Sequence, residues 1–327
     1  MAIDLLSIEP NKVSKDLSGY ITYIYGPGGA GKTTFAAHTK DPLLLAFELG
    51  YKALPGVKAQ PIQTWGEVKQ VLRELKRPEV KNVYSTIAVD TVDIAAQLCE
   101  KYICSQLGIE NIGDGGWTTN GWAKVKKEWE QTWRAFTMEG YSVLFISHAK
   151  DKTFIRKDGT TYNQIVPSCP TAYEEIIKNM VDLMGYIDVN NGERTLVLRS
   201  LDDTVDCKSR FKMIAPQVKF GYDELVHALN DAIEAEAKLT NNAFVTDNVF
   251  EAPEVKEYDY DALMVEFQEI AGNLMQKNAS KYGPILTQII ERYLGKGKKI
   301  AETTRDQAEF IHLILTEIRE DVLSNET

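Results

Sequence analysis

The chain has 327 residues, 44% of them hydrophobic and 26% charged, which is ordinary for a soluble globular protein and long enough for two domains. It contains no run of 18 apolar residues, and residues 1–10 carry acids rather than a basic leader, so we expect a cytoplasmic protein without a membrane span or secretory signal. The formal net charge of −10 argues against nucleic-acid binding by the whole surface, although it leaves room for a local basic patch.

Short apolar strands alternate with helical patterns over the first two thirds of the chain. Strands are predicted at 20–25, 43–47, 86–89, 142–147, 183–189 and 195–199. Helices are predicted at 32–39, 64–76, 92–107, 122–138, 172–180 and 222–238. This alternation predicts an α/β fold with a mostly parallel sheet. Asn191-Gly192 between the last two strands indicates a hairpin, so the sheet should end in an antiparallel ribbon.

The last third of the chain has a different character. Residues 239–260 are polar and acidic and include Pro253, which indicates a linker. Three amphipathic helices follow at 261–276, 284–294 and 304–323. We therefore predict an α/β core at 1–238, the linker at 239–260, and a small all-α C-terminal domain at 261–327. Packing or oligomerisation is the favoured role for that domain.

The motif that carries the most chemistry lies between the first strand and the first helix. It reads Gly26-Pro27-Gly28-Gly29-Ala30-Gly31-Lys32-Thr33 and fits the phosphate-binding pattern G-x-x-x-x-G-K-[ST]. The glycines let backbone N–H groups face phosphate oxygens, Lys32 should reach the β- and γ-phosphates, and Thr33 should bind Mg²⁺. We therefore expect ATP and Mg²⁺ as ligands, with the nucleotide held by Gly26, Pro27, Gly28, Gly29, Ala30, Gly31, Lys32, Thr33 and Thr34.

Polar residues at the ends of three further strands complete the predicted site, because ligands bind at the carboxyl ends of parallel strands. Asp90 should hold the metal opposite Thr33, unless it only caps the next helix. Glu48 should orient the attacking water, unless it is an exposed loop acid. His148 should sense the γ-phosphate, unless it is a core or solvent-facing histidine. Thr91 and Asp93 are the favoured caps of the helix after Asp90.

These motifs resemble RecA-like ATPases over roughly residues 18–235. More narrowly, the chain resembles the phage-encoded ATP-binding proteins of that fold, classed as AAA nucleotide-binding proteins, that act in recombination and single-strand annealing. The resemblance rests on the P-loop, on Phe47-Glu48, on Asp90-Thr91, and on Gly121-Trp122 and Ser147-His148-Ala149-Lys150.

The resemblance implies further residues and partners. ATP is expected between subunits of a homo-oligomer. Arg210 or Lys208 would then reach the γ-phosphate of a neighbouring subunit as a trans-acting finger. The equally weighted alternative is that these residues only form a charged strand edge. Single-stranded DNA is expected at 111–121, with Trp117, and at 149–168, with cations and aromatics that suit backbone neutralisation and base stacking. The spaced Trp122, Trp129 and Trp133 are expected in the core, and Lys124, Lys126 and Lys127 on a solvated helix face.

Two classes of function follow. The first is an ATPase of phage recombination or replication that binds single-stranded DNA and couples hydrolysis, with catalytic residues Lys32, Glu48, His148 and Arg210, to strand loading or annealing. The second is a nucleotide-switched adaptor with little turnover that binds a recombinase, a helicase or a single-strand-binding protein. A replicative helicase or helicase loader also stays open. A small-molecule kinase is the weakest candidate, because no cluster of arginines follows the P-loop.

Overall fold

The computed structural model describes residues 5–15, 17, 19–200, 202–239, 241, 245–246 and 258–323. The chain forms two compact units, one of residues 10–253 and one of residues 254–327 together with 1–9. The predicted linker falls largely outside the described residues. Its described part includes Val245–Thr246, which forms a short β-strand rather than an irregular connection.

The larger unit is built on a ten-stranded sheet and a separate two-stranded pair. The strands are β1 Val13–Ser14, β2 Ile21–Gly26, β3 Pro42–Ala46, β4 Ala59–Pro61, β5 Thr86–Asp90, β6 Ser142–Ile155, β7 Thr161–Pro167, β8 Leu183–Asn190, β9 Glu193–Val197, β10 Lys208–Ser209, β11 Gln217–Lys219 and β12 Val245–Thr246. The main sheet has the order β11-β9-β8-β2-β6-β5-β3-β4, and β1 pairs with β12.

The predicted sheet architecture is confirmed. Strands β8, β2, β6, β5, β3 and β4 are parallel to one another, and β9, β10 and β11 join antiparallel at one side. The β8–β9 turn places Asn191 at φ 51° and Gly192 at φ 85°, as a two-residue hairpin of this sequence requires. Parallel pairing puts the carboxyl ends of β2, β3, β5 and the apolar part of β6 at one edge of the sheet. This edge is where the predicted site lies.

Helices cover both faces of the sheet. They are α1 Lys32–Ala37, α2 Trp65–Leu75, α3 Pro78–Lys81, α4 Val92–Leu107, α5 Gly116–Thr119, α6 Gly121–Met138, α7 Thr171–Met180 and α8 Tyr222–Leu239, followed in the smaller unit by α9 Tyr260–Leu294 and α10 Ala308–Glu317. Helices α2, α4, α6 and α7 share a core with one face, and α1 and α8 with the other. The larger unit is thus a three-layer α/β/α domain.

Aromatic packing dominates the first of these cores. Trp129 and Trp133 are fully buried, and the Trp129 ring stacks on Trp65 with centroids 5.5 Å apart. The expectation of core tryptophans is therefore right for these two and wrong for Trp122, which is 50% exposed at the start of α6. Being the second residue of its helix, Trp122 precedes the turns that pack on the sheet.

Strand β6 is longer than its apolar run predicts. The sequence indicates 142–147, whereas β6 continues to Ile155 and pairs antiparallel with β7. The segment 149–168 is therefore mainly a β-hairpin, not an irregular loop. Cross-strand pairs such as Phe154 with Tyr162 and Thr153 with Asn163 stabilise it, and such pairs are invisible to a search for apolar runs.

The smaller unit is helical, as predicted, but its helix limits differ. Helix α9 spans two of the predicted helices, with non-helical backbone only at Asn278, whose Oδ1 accepts a hydrogen bond from the N–H of Lys281 at 3.0 Å. Helix α10 begins at Ala308 rather than 304, because short 3₁₀ turns precede it. A π-helical turn, Ile318–Leu323, follows it. Apolar residues of α9, α10 and this turn form the unit's own core.

Candidate functional site

The predicted P-loop is an open turn between β2 and α1. Gly29 has φ 74° and Gly31 has φ 97°, a region that favours glycine. A Cβ added to Gly28 or Gly29 would meet no atom within 4 Å, so the outer side of the loop is free to receive a ligand. At Gly26 a Cβ would lie 2.9 Å from Ile187 Cβ, so the base of the loop packs tightly on β8.

Lys32 folds back over this loop. Its Nζ donates hydrogen bonds to the carbonyls of Gly26 and Pro27, both at 2.8 Å. Burial lowers the pKa of Lys32, while the carboxylates of Asp90 and Asp93 oppose that shift. A buried cation held only by carbonyl oxygens is well suited to bind phosphate oxygens in their place.

Thr33 and Asp90 meet as the predicted metal site requires. The Thr33 hydroxyl donates to Asp90 Oδ2 at 2.6 Å, although 57 positions separate the two residues. Burial raises the pKa of Asp90, and the hydrogen bond from Thr33 lowers it. Both oxygens are hard ligands, which Mg²⁺ prefers. No cluster of three or more His, Cys, Asp or Glu side chains suited to a metal occurs within the described ranges.

Glu48 joins this group from the end of β3. Its Oε1 accepts a hydrogen bond from the Thr91 hydroxyl at 2.9 Å and lies 3.3 Å from His148 Nε2. The side chains of Glu48 and His148 are 39% and 40% exposed, so both reach solvent beside the buried Asp90. A carboxylate held by two neighbours and open to water has the geometry of a water-orienting base.

The prediction that Thr91 and Asp93 cap α4 is right for the position of Thr91, but neither side chain caps the helix. Thr91 occupies the N-cap position of α4 but makes no capping hydrogen bond, because its hydroxyl is turned to Glu48. Asp93 Oδ1 accepts from the hydroxyls of Ser147, at 3.0 Å, and Ser168, while its Oδ2 accepts from the His148 N–H at 3.3 Å. Asp93 thus ties α4 to the end of the apolar part of β6 and to the end of β7.

Arg210 lies far from the P-loop of its own chain. It pairs with Asp182, which directly precedes β8, with Nη1 2.9 Å from Oδ1. That carboxylate also accepts from the N–H of Ile21, at the amino end of β2, at 2.8 Å. Arg210 therefore sits at the opposite edge of the sheet. Lys208 lies at the same edge and donates to the carbonyl of Lys178. A role for either residue in a neighbouring subunit stays a prediction.

A different arginine lies beside the P-loop. Arg194 Nη1 is 3.2 Å from the position that a Cβ on Gly31 would occupy. Arg194 is exposed and belongs to β9, directly after the β8–β9 turn. The sequence analysis missed it, although the predicted hairpin already placed this turn at the carboxyl edge of the sheet.

The two segments predicted to bind DNA are both at the surface. In the first, Trp117 is fully exposed within α5. In the second, the β6–β7 hairpin, the Phe154 and Tyr162 rings stack with centroids 5.5 Å apart. Lys152 Nζ lies 4.9 Å from the Phe154 centroid, and the Arg156 guanidinium 4.3 Å from that of Tyr162.

Comparisons with known proteins identify the family of this chain. A family model described as an AAA domain matches residues 18–211, which is more than half of the chain and includes the P-loop, Glu48, Asp90, His148 and Arg194. The chain therefore belongs to this AAA-domain family of P-loop NTPases. It is 29% identical over 334 residues to the SPbeta prophage-derived uncharacterized protein YorG of Bacillus subtilis strain 168, covering 98% of this chain and 99% of that protein.

A solved structure, the KaiC-like protein PH0186 of Pyrococcus horikoshii OT3, aligns with 57% of this chain and 81% of its own at 14% identity and a TM-score of 0.33.

Within the described residues, no helix has the length and apolar character needed to cross a membrane.

Proposed function

We propose that this AAA-domain protein hydrolyses ATP with Mg²⁺. The observation that carries the proposal is the 2.6 Å contact between Thr33 and Asp90, made beside an open glycine loop. The next residue, Thr91, belongs to a hydrogen-bonded group with Glu48 and His148. These five side chains come from four separate segments of the chain, since only Asp90 and Thr91 are adjacent. Their meeting at one point supports a reaction centre more strongly than the P-loop motif does alone.

The proposed roles follow from the contacts. The P-loop amides hold the phosphates, and Lys32 leaves its carbonyl partners to neutralise phosphate charge. Thr33 and Asp90 would hold Mg²⁺, which would supply charge stabilisation at the phosphates. Glu48 accepts the proton of the attacking water, and His148 keeps the Glu48 carboxylate in place.

The experiment is steady-state ATP hydrolysis with Mg²⁺, with Lys32→Ala as the blank. Turnover by the wild type that the variant loses supports the proposal. Nucleotide binding by the wild type without turnover would overturn hydrolysis and favour the nucleotide-switched adaptor. A wild type that binds no nucleotide would overturn both functions.

We further propose that single-stranded DNA binds at the β6–β7 hairpin. Arg156 and Lys157 lie exposed at its turn, next to the stacked pair of Phe154 and Tyr162. Cations beside accessible rings suit sequence-tolerant binding of single strands. Lys150 contributes less, because its Nζ donates to the carbonyls of Ser168 and Cys169.

The DNA proposal is tested by fluorescence anisotropy of a labelled oligothymidylate over a range of salt concentrations. The double variant Arg156→Ala/Lys157→Ala should bind more weakly and should lower the slope of log K against log salt by about 0.7 for each lost phosphate contact. The matched control is Lys124→Ala/Lys127→Ala, which removes two exposed cations from α6. Equal loss in both double variants would overturn a specific role of the hairpin.

We also propose that this activity serves phage recombination or replication; the likeness to a prophage-derived protein supports the phage part of this proposal. We also propose a homo-oligomer, because the half-exposed Glu48 and His148 leave the γ-phosphate side open to a second copy. Light scattering after size exclusion, with and without ATP, tests this. A monomer under both conditions would overturn it, and with it a trans-acting role for Arg210.

A further inference from the structure

The two sides of the P-loop strand β2 differ in chemistry. On the β6 side lie β5 and β3, which carry Asp90 and Glu48 at their carboxyl ends. On the other side lie β8, β9 and β11. If Asp90 and Glu48 serve the γ-phosphate, the opposite end of the nucleotide leaves the loop away from them. The β8–β9–β11 side is therefore the place to look for contacts with the nucleoside end.

That side holds an open cavity of about 740 Å³. It is lined by residues 192–195, from the β8–β9 turn and β9, and by residues 217–220, from β11 and the residue that follows it. Ligand pockets for small molecules typically span about 300–1,000 Å³, so a nucleoside fits this space. The cavity lies next to the P-loop, because two of its lining residues, Arg194 and Phe220, are the nearest neighbours of Gly31.

Arg194 and Lys219 both line this cavity, and Arg194 is the cation that lies next to the P-loop. Its Nη1 lies 3.2 Å from the Cβ position of Gly31, and Phe220 Cε1 lies 3.5 Å from the same point. Phe220 stacks on Phe35 of α1, with centroids 5.2 Å apart and planes at 15°, and its N–H donates to the Arg194 carbonyl at 3.0 Å. The backbone that carries Arg194 is thereby fixed against α1. Within the part of the chain that the structure describes, no carboxylate forms an ion pair with this guanidinium.

We propose that Arg194 is a second phosphate-binding cation, acting within its own chain at the nucleoside end of the bound nucleotide, and that the nucleoside occupies the adjoining cavity. The inference rests on the proposed nucleotide binding. It adds one phosphate-binding residue and the direction in which the nucleoside end of the nucleotide lies. A guanidinium binds phosphate oxygens with two parallel hydrogen bonds, and among the described residues no carboxylate has to release Arg194 first. Glycine at position 31 leaves the space that the guanidinium occupies, since any Cβ there would press against Nη1.

Nucleotide affinity tests the role of Arg194. Displacement of a fluorescent ATP analogue by ATP and by ADP should show both nucleotides bound about tenfold more weakly by Arg194→Ala, with Arg194→Lys in between. In hydrolysis assays KM should rise while kcat stays near that of the wild type, as expected of a residue that binds the substrate and the transition state equally. The control is Arg134→Ala, which removes an exposed arginine paired only with Glu130 one turn away on α6.

The outcomes separate the two proposals. A wild type that binds ATP together with an Arg194→Ala variant whose affinity for ATP and ADP is within twofold would overturn the role of Arg194 alone. No binding by the wild type would overturn the proposed function and this inference together. A variant that weakens ATP but leaves ADP unchanged would place Arg194 at the γ-phosphate and overturn the proposed direction.

Photolabelling of the unaltered protein tests the cavity without any substitution. An 8-azido-ATP label should attach, after peptide mapping, within residues 192–195 or 217–220. Labelling confined to the other side of the P-loop, near residues 48–51 or 91–93, would overturn the assignment.

Discussion

At the scale of single residues, Glu48 is the group on which hydrolysis should depend most. Its carboxylate is held by Thr91 and His148 and remains 39% exposed, so it can meet both water and a γ-phosphate. Glu48→Gln keeps the shape and both hydrogen-bonding neighbours but removes the basic oxygen. We expect kcat to fall about 10²–10⁴-fold, the usual contribution of a positioned base, with ATP affinity almost unchanged.

The measurement is steady-state hydrolysis beside equilibrium nucleotide binding. Glu130→Gln, a change of the same chemistry on the surface of α6, serves as the control and should keep wild-type turnover. Full activity in Glu48→Gln would show that another group orients the water.

The ionisation of Asp90 should make the thermal stability of the protein depend on pH. Burial raises its pKa above the ordinary 3.8. A raised folded-state pKa gives a contribution to the free energy of unfolding that is fully present below the ordinary pKa and lost as the pH rises through the raised one. At neutral pH the nucleotide-free wild type therefore lacks that contribution. Asp90→Asn cannot ionise, so we expect a higher Tm than the wild type at neutral pH but no stabilisation by Mg²⁺-ATP.

Thermal unfolding between about pH 4 and 7, with and without Mg²⁺-ATP, checks this. Asp158 provides a control of opposite sign, because hydrogen bonds from Thr160 lower its pKa. Its contribution is present above the ordinary pKa and lost as the pH falls through the lowered one, so Asp158→Asn should not raise the Tm at neutral pH. A lower Tm for Asp90→Asn than for the wild type would contradict the argument.

Sequence reasoning located Lys32 and Thr33 from the P-loop motif. It located Glu48, Asp90 and His148 because they close or follow buried strands, whose parallel pairing brings these residues together. Asp93 was assigned to the wrong partner, because a first-turn acid has the same sequence signature whether it caps its own helix or bonds to another strand. Arg194 was missed because no local pattern records that its side chain reaches Gly31 across the sheet.

At the scale of elements, β6 is one continuous strand that links the site to the surface. Its apolar first part ends at the site, and its second part forms one arm of the β6–β7 hairpin. Asp93 holds this arrangement at one point, since it accepts hydrogen bonds from Ser147, Ser168 and the His148 N–H. We expect Asp93→Ala to lower the free energy of unfolding by about 1–3 kcal/mol, the cost of leaving such donors unpaired. Hydrolysis should fall as well, because His148 would lose its backbone anchor beside Glu48.

Urea unfolding monitored by tryptophan fluorescence measures this effect. Ser168→Ala removes one of the three donors and should cost less than Asp93→Ala. Equal stability of Asp93→Ala and the wild type would contradict a tie between α4 and the hairpin. The hairpin itself shows the limit of prediction for elements, because Lys152, Phe154 and Arg156 read as a polar loop until their partners on β7 are known.

At the scale of the whole molecule, the chain contains two units with separate cores. The core of α9, α10 and the π-helical turn contains Phe267, Leu274 and Ile311, and the larger unit has cores on both faces of its own sheet. The sequence predicted a helical end but not its limits, because Asn278 interrupts α9 for one residue only and the acids before Tyr260 give no periodic signal.

All proposed nucleotide-site residues lie within residues 10–253. A unit with its own core is expected to fold alone, so a protein of residues 10–253 should bind ATP with wild-type affinity and keep its basal hydrolysis. Equilibrium binding and steady-state turnover of this fragment beside the full chain check the prediction, with the same fragment carrying Lys32→Ala as the blank. If the fragment is folded by circular dichroism but binds ATP more than about tenfold more weakly, a difference of about 1.4 kcal/mol, the smaller unit contributes to nucleotide binding and cannot serve only packing or oligomerisation.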